Sequence, residues 1–141
     1  MTLPPDDELR TIYENTKTIA VVGASADEFK PSHRIPAYIQ SQGFRIIPVS
    51  PKGGEILGEP VVASLADVDV PIDVVNVFRP SEETPEIAKE AVKVGAKVLW
   101  LQSGIHSDEA ERIATEGGLK FVSGACIGVT HGRLGLGPGP H

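Results

Sequence analysis

Apolar and polar positions along the chain alternate between two kinds of block. "TIAVVG" (18–23), "FRIIPVS" (44–50), "IDVVNVF" (72–78) and "KVLWLQSG" (97–104) are near-continuous apolar runs that end on turn residues, and "LKFVSG" (119–124) is a shorter one. Runs of this length without polar alternation predict strands covered on both faces. Between them the apolar residues take helical spacing. Leu9, Ile12 and Tyr13 predict a helix capped by Asp6 or Asp7 and reaching about Thr16. Ile35, Tyr38 and Ile39 predict a second helix over "RIPAYIQSQG", closed by Gly43, with Pro36 tolerated in its first turn. Ile87, Ala88, Ala91 and Val92 predict a third, stopped by Gly95, and "SDEAERIATEGG" a fourth, capped by Ser107 or Asp108. "PKGGEILGEP" is expected to be a loop and "VVASL" (61–65) a short edge strand.

Strands alternating with helices imply a parallel sheet with helices on both faces. Right-handed crossovers then give an α/β fold: a three-layer, Rossmann-like doubly wound sheet of five to six strands. No internal repeat is visible. The expected organisation is one domain over 1–134 and a flexible Gly/Pro-rich tail over 135–141 that includes His141.

Charge and composition narrow the function classes. A formal net charge of −6 over 141 residues offers no basic face for nucleic acid. No apolar run approaches the ~20 residues needed to cross a bilayer. The acidic start "MTLPPDDELR" lacks the basic and apolar regions of a signal peptide, so the expected location is the cytoplasm. Cys126 is the single cysteine, which excludes an internal disulfide and a cysteine-only zinc site; no two histidines have metal-ligand spacing. A homodimer is an arrangement open to a domain of this size.

Candidate chemistry sits at the strand ends: Gly23-Ala24-Ser25, "PVSPKGG" (48–54), "FRPS" (78–81) and "QSG" (102–104). In a doubly wound sheet these ends share one rim, where ligands bind. Glycine permits close approach of backbone to a ligand, and free N–H groups at a helix start attract phosphate. Ser25 and Ser32 add hydroxyls, and Lys30, Arg34, Lys52 and Arg79 add positive charge. Together they point to an anionic ligand. A dinucleotide fingerprint would read G-x-G-x-x-G, with an acid after the second strand. Here the turn continues Ala24-Ser25-Ala26-Asp27-Glu28, and Ser50 stands where the acid would be. Classical NAD binding becomes a minority reading, and Lys52, which could tolerate a 2′-phosphate, is the one support for an NADP-type ligand. No G-x-x-x-x-G-K-[ST] occurs, which excludes a P-loop.

"VGAS" with its basic, serine-containing sequel, "GFRIIPVSP", "ILGEPVVASLADV", "IDVVNVFRPSEE" and "VLWLQSGI" closely resemble the small single-domain coenzyme A-binding proteins. Those are similar in turn to the CoA-binding domain of the succinyl-CoA synthetase α-subunit. The resemblance covers about Thr18 to Leu134. It implies coenzyme A, or an acyl-CoA, as the small-molecule ligand. Gly23, Ala24 and Ser25 would lie against the diphosphate, flanked by Lys30, Ser32 and Arg34. Pro51 and Lys52 would lie near the adenosine end, and Phe78 and Arg79 beside the adenine and ribose phosphate. Gln102, Ser103 and Gly104 would lie nearer the pantetheine path. Two positions depart from the family pattern: Ser50 replaces an asparagine, and Ala125 replaces an arginine before Cys126.

The residues favour binding or regulation over catalysis. Cys126 with His131 is the one nucleophile–base candidate, and no orienting carboxylate or oxyanion site accompanies it. The alternatives are an NADP-type dinucleotide-binding protein or oxidoreductase fragment, and a thiol enzyme or ligase subunit acting on CoA thioesters. The synthetase carries its phosphorylated histidine in a second domain, for which this sequence has no counterpart. Trp100 is expected in the core, and His33 and His106 at the surface or the ligand's edge.

Overall fold

A computed structural model describes residues 1–139. Helix α1 spans Asp6–Glu14, strand β1 Thr18–Val22, α2 Pro31–Ser41 and β2 Arg45–Val49. A small hairpin, β3 Glu55–Ile56 and β4 Glu59–Pro60, precedes β5 Val74–Val77. Then come α3 Thr84–Lys93, β6 Val98–Leu101, α4 Asp108–Glu116, β7 Lys120–Val122 and α5 Ile127–Arg133.

The main sheet has five parallel strands in the order β2-β1-β5-β6-β7. The order reverses between β1 and β5, which is the switch point of a doubly wound sheet. Alternate residues of each strand feed two cores. Ile19 and Val21 of β1, Val74 of β5 and Trp100 of β6 pack with Leu9, Ile12, Tyr13, Ile39 and Ile127, so α1, α2 and α5 cover one face. Ala20, Val75, Val77, Leu99 and Leu101 pack with Ile87, Ala88, Ala91, Ala110 and Ala114, so α3 and α4 cover the other. Small alanines on α3 and α4 let both helices approach the sheet closely. Trp100 is fully buried, as expected, and its indole N–H donates to the Ala125 carbonyl at 3.0 Å.

Pro48 inside β2 is accommodated because β2 is the edge strand. Its carbonyl accepts the Val62 N–H at 3.1 Å on the side away from β1, so the proline removes no donor from the ladder to β1. At the opposite end of the sheet, the Asp73 carboxylate accepts the N–H groups of Lys17 at 2.8 Å and Thr18 at 3.0 Å, and Lys97 Nζ lies 3.3 Å away. Burial alone would raise the pKa of Asp73, but these donors outweigh it and hold the carboxyl below its usual range.

Several expectations need correction. Helix α1 has Pro5 at its N-cap with no side-chain cap; Asp6 and Asp7 lie inside its first turn. Helix α2 begins at Pro31, three residues earlier than the apolar spacing suggested, which puts Pro36 in the second turn. Within "VVASL" only Val62 pairs, by an isolated parallel bridge to Val49, and a 3₁₀ turn follows at Leu65–Asp67. The expected loop 51–60 contains the β3–β4 hairpin, whose two turn residues, Leu57 and Gly58, have φ of +55° and +77°. Helix α5 was not foreseen, because its first residues "IGVTHG" carry two glycines and a β-branched pair. Over 135–139, Leu136 packs on the core around Tyr13, and the Gly139 N–H donates to the Gln42 carbonyl. His141 lies outside the described residues.

Candidate functional site

Gly23 ends β1 at the point where the strand order reverses. Its N–H donates to the Val49 carbonyl of β2 at 3.0 Å, and the Phe78 N–H donates to the Val22 carbonyl at 2.9 Å. The three strand ends are thereby joined up to their last residues. Gly23 has φ of +90°, and a Cβ there would stand 2.9 Å from the Phe78 carbonyl oxygen and 2.8 Å from Arg79 Cδ. Only glycine fits both the conformation and the space.

The segment after Gly23 is folded onto the start of α2. The Ser25 N–H donates to the Ser32 carbonyl at 3.2 Å, and the Ser25 carbonyl lies 2.8 Å from His33 Nδ1. Ser25 Oγ accepts the Asp27 N–H at 3.0 Å, and the Asp27 carboxylate accepts the Phe29 N–H at 3.0 Å. On β2's side, Ser50 is 8% exposed and its Oγ accepts the Lys52 N–H at 3.3 Å. Ser50 thus shapes the Pro51–Lys52 turn.

These turns enclose a cleft of about 790 Å³. Of the residues singled out in the sequence, Gly23, Ala24, Ser25, Lys30, Ser32, Pro51, Lys52, Phe78 and Arg79 line it. Its volume is that of a pocket for a ligand of cofactor size. Val22, Val49, Ile56, Phe78 and Ile87 give it an apolar floor. The charged lining is balanced: Lys30, Lys52 and Arg79 against Asp27, Glu83 and Glu90. Arg79 and Glu83 form a bidentate pair, Nε to Oε1 at 3.1 Å and Nη2 to Oε2 at 2.8 Å. Hydrogen bonding to Arg79, against an opposing effect of burial, holds the Glu83 carboxyl below its ordinary value; the same bond raises Arg79.

The sequence reading missed Asp27, Ala63, Ser64, Glu83 and Glu90 as lining residues. The i, i+4 spacing of Arg79 and Glu83 was a legible signal for one of them. Ala63 and Ser64 arrive through the irregular stretch after the β3–β4 hairpin and leave no such trace.

Arg34, Gln102, Ser103 and Gly104 are not part of this lining. For Gln102 the structure shows another task. Its side chain is 6% exposed, and Oε1 accepts from Asn76 Nδ2 at 3.1 Å and from the Ile127 N–H at 2.9 Å. It braces the first turn of α5 against β5 and β6, where a ligand contact had been expected.

Among the described residues no hydrogen bond joins Cys126 to His131. Cys126 is the N-cap of α5, with extended backbone, and His131 lies within that helix. His131 is 1% exposed, and its Nδ1 lies 2.9 Å from the Tyr38 hydroxyl. Its ring packs edge-on against Tyr13, Tyr38 and Phe44. The Tyr13 hydroxyl donates to the Ile127 carbonyl at 2.6 Å, and burial pushes its pKa far above the usual value.

His106, Asp108 and Glu111 bring potential metal-ligating atoms within 4.8 Å of one another. Each already has a protein partner. His106 Nδ1 lies 2.8 Å from Ser123 Oγ and Nε2 lies 2.8 Å from the Asp108 carboxylate, while Glu111 accepts the Thr2 hydroxyl at 2.7 Å. Among the described residues, no helix is long and apolar enough to cross a membrane.

Fold and cleft together define a Rossmann-like α/β domain with a cleft at the carboxyl ends of β1, β2 and β5. Comparison with known proteins makes the family explicit: residues 17–132 match the CoA binding domain family, and the chain belongs to it. It is 41% identical over 128 residues to the uncharacterized protein YneT of Bacillus subtilis, covering 91% of this chain and 95% of that protein. The solved structure of cell-free ID.343 from Thermus thermophilus is also 41% identical, with a TM-score of 0.89 over 93% of this chain and 99% of that one. The ADP-forming acetate–CoA ligase of Methanocaldococcus jannaschii is 26% identical over 139 residues, covering 93% of this chain but only 20% of the ligase. The chain is thus homologous to the CoA-binding part of such a ligase and spans a small share of its length.

Proposed function

We propose that the protein binds coenzyme A, or an acyl-CoA, in the cleft at Gly23 and acts as a binding or regulatory module rather than an enzyme. The observation that carries this is the turn at Gly23. Gly23 has φ of +90° and no room for a Cβ, and the chain there lines a cleft that also receives Lys30, Lys52 and Arg79. Coenzyme A bears a diphosphate and a 3′-phosphate, so it needs several separate donors within an acidic protein. The diphosphate would lie against Gly23–Ser25 and take the Ala24 N–H and the Ser25 hydroxyl, because the Gly23 and Ser25 N–H groups are engaged by the Val49 and Ser32 carbonyls, with Lys30 and the Ser32 hydroxyl beside it. Lys52 and Arg79 would read the 3′-phosphate, and the apolar floor at Phe78 and Ile87 would take the adenine. Ser103 and Gly104, on the next strand end along the rim, remain proposed for the pantetheine arm.

No group in the cleft is arranged as a nucleophile with a base, so the reading includes no reaction. The ligase's activity belongs to a much longer chain and is not transferred here. Thermal-shift titration with CoA, acetyl-CoA, NAD and NADP tests the reading. Stabilisation by the two CoA species is expected, and stabilisation by NADP alone would replace it with the dinucleotide alternative.

A further inference from the structure

We infer that Glu83 is a gate on the cleft: it occupies the Arg79 guanidinium in the free protein and must give it up to an incoming phosphate. The inference rests on the reading of the cleft as a site for a phosphate-bearing ligand. The Arg79 stem lies across Gly23, its Cδ so close that a Cβ there would stand 2.8 Å away. That fixes where the guanidinium can be. Its head is engaged through Nε and Nη2, the same fork that a phosphate would use. An anion taking that fork must therefore displace the Glu83 carboxylate or sit against it.

Exchange is energetically accessible. Both side chains are nearly half exposed, 47% for Arg79 and 45% for Glu83, and ion pairs with that much water around them add little to stability. Glu83 stands in a 3₁₀ turn, Ser81–Glu83, immediately before α3, so its side chain can swing away without disturbing a strand. The balance of charge gives the gate its purpose. With Asp27, Glu83 and Glu90 offsetting Lys30, Lys52 and Arg79, the free cleft presents no net positive charge to a weak or singly charged anion. A ligand with several phosphate charges can compete for Arg79, whereas a carboxylate or a chloride gains little. Glu83 would thus set selectivity for polyphosphorylated ligands at some expense in affinity.

The test is calorimetric titration of CoA into wild type, Glu83→Gln, Arg79→Ala and the double variant. Glu83→Gln should bind CoA about three- to fivefold more tightly, the size expected when an exposed competing charge is removed. Arg79→Ala should bind more weakly. In its background Glu83→Gln should give a markedly smaller gain, because the fork it competes for is absent. A Glu83→Gln variant that binds CoA equally or less tightly would overturn the gate, as would a full gain in the Arg79→Ala background. Inorganic pyrophosphate supplies a second arm, read by thermal shift. A larger shift for Glu83→Gln than for wild type, with no CoA binding by either, would keep the gate and sink the CoA reading. Equal pyrophosphate shifts in a protein that binds CoA would overturn the gate and leave the CoA reading standing.

Discussion

The amide of Ser25 donates to the carbonyl of Ser32 at 3.2 Å, and it can do so because residue 36 is proline. In an α-helix the Ser32 carbonyl would accept the N–H of residue 36, four positions on, and Pro36 has none. A helix defect thus provides an acceptor for the loop that follows β1. This contact and the one from His33 to the Ser25 carbonyl tie the loop to α2 at both of its backbone groups.

Pro36→Ala should therefore separate stability from binding. Restoring a helical N–H removes a penalty of about 3 kcal/mol for interior proline, while the lost ring leaves a small cavity, so a net gain of about 1 kcal/mol is expected. The restored N–H competes for the Ser32 carbonyl and loosens the loop. CoA affinity should fall several-fold while the melting temperature rises, a pair of changes readable from one thermal-shift titration. A fall in both would mean that Pro36 matters for packing alone.

Gly23→Ala tests the turn itself. The alanine must hold φ near +90° and push its Cβ against the Phe78 carbonyl and the Arg79 stem. Positive-φ strain of about 1–3 kcal/mol adds to the clash. Denaturant unfolding should show a loss of about 2–4 kcal/mol. Ligand binding should be lost even at temperatures where the variant is fully folded.

Gln102→Leu should behave in the opposite way. It leaves the Ile127 N–H without its acceptor and removes one of two partners of Asn76, for about 2–3 kcal/mol of lost stability. Because Gln102 faces the core, CoA affinity measured on the folded variant should change less than about twofold. A large affinity loss would return Gln102 to the ligand site.

The contrast among these residues shows what the sequence made legible. Strands and the layered α/β fold were readable because both sheet faces are covered and the apolar runs are unbroken. Gly23 was readable because a strand that ends on glycine can turn through a positive φ closed to most other residues. Gln102 was placed by its motif position, which does not say which way a side chain turns, and here its Oε1 serves the first N–H of the unforeseen α5. Helix α5 itself escaped because its sequence is weakly helical; it is held by Tyr13, Gln102 and packing from α2, all remote in sequence. Glu83, at the N-cap of α3, and Glu90, in that helix's second half, carry no sequence signal that separates them from solvated helix acids. The turn after β5 brings Glu83 to the cleft, and the placing of α3 brings Glu90.

Asp73 predicts the acid limb of stability. Its pKa is lower in the folded protein than in the unfolded chain, so its contribution is present above about pH 4 and is lost as the pH falls through the folded value. At pH 7, Asp73→Asn should be less stable than wild type by about 1–2 kcal/mol, the scale of hydrogen bonds to a charged group. The difference should shrink as the pH drops below about 4. Chemical denaturation of both proteins between pH 3 and pH 7 measures it, and a gap that widens toward acid would reverse the assignment.

The central claim is that the cleft at Gly23 takes coenzyme A. Isothermal titration of the purified protein with CoA and, separately, with NADP tests it most directly. The account predicts saturable one-to-one binding of CoA, weakened about tenfold or more when dephospho-CoA replaces it, and no saturable binding of NADP. Saturable binding of NADP with none of CoA would contradict it.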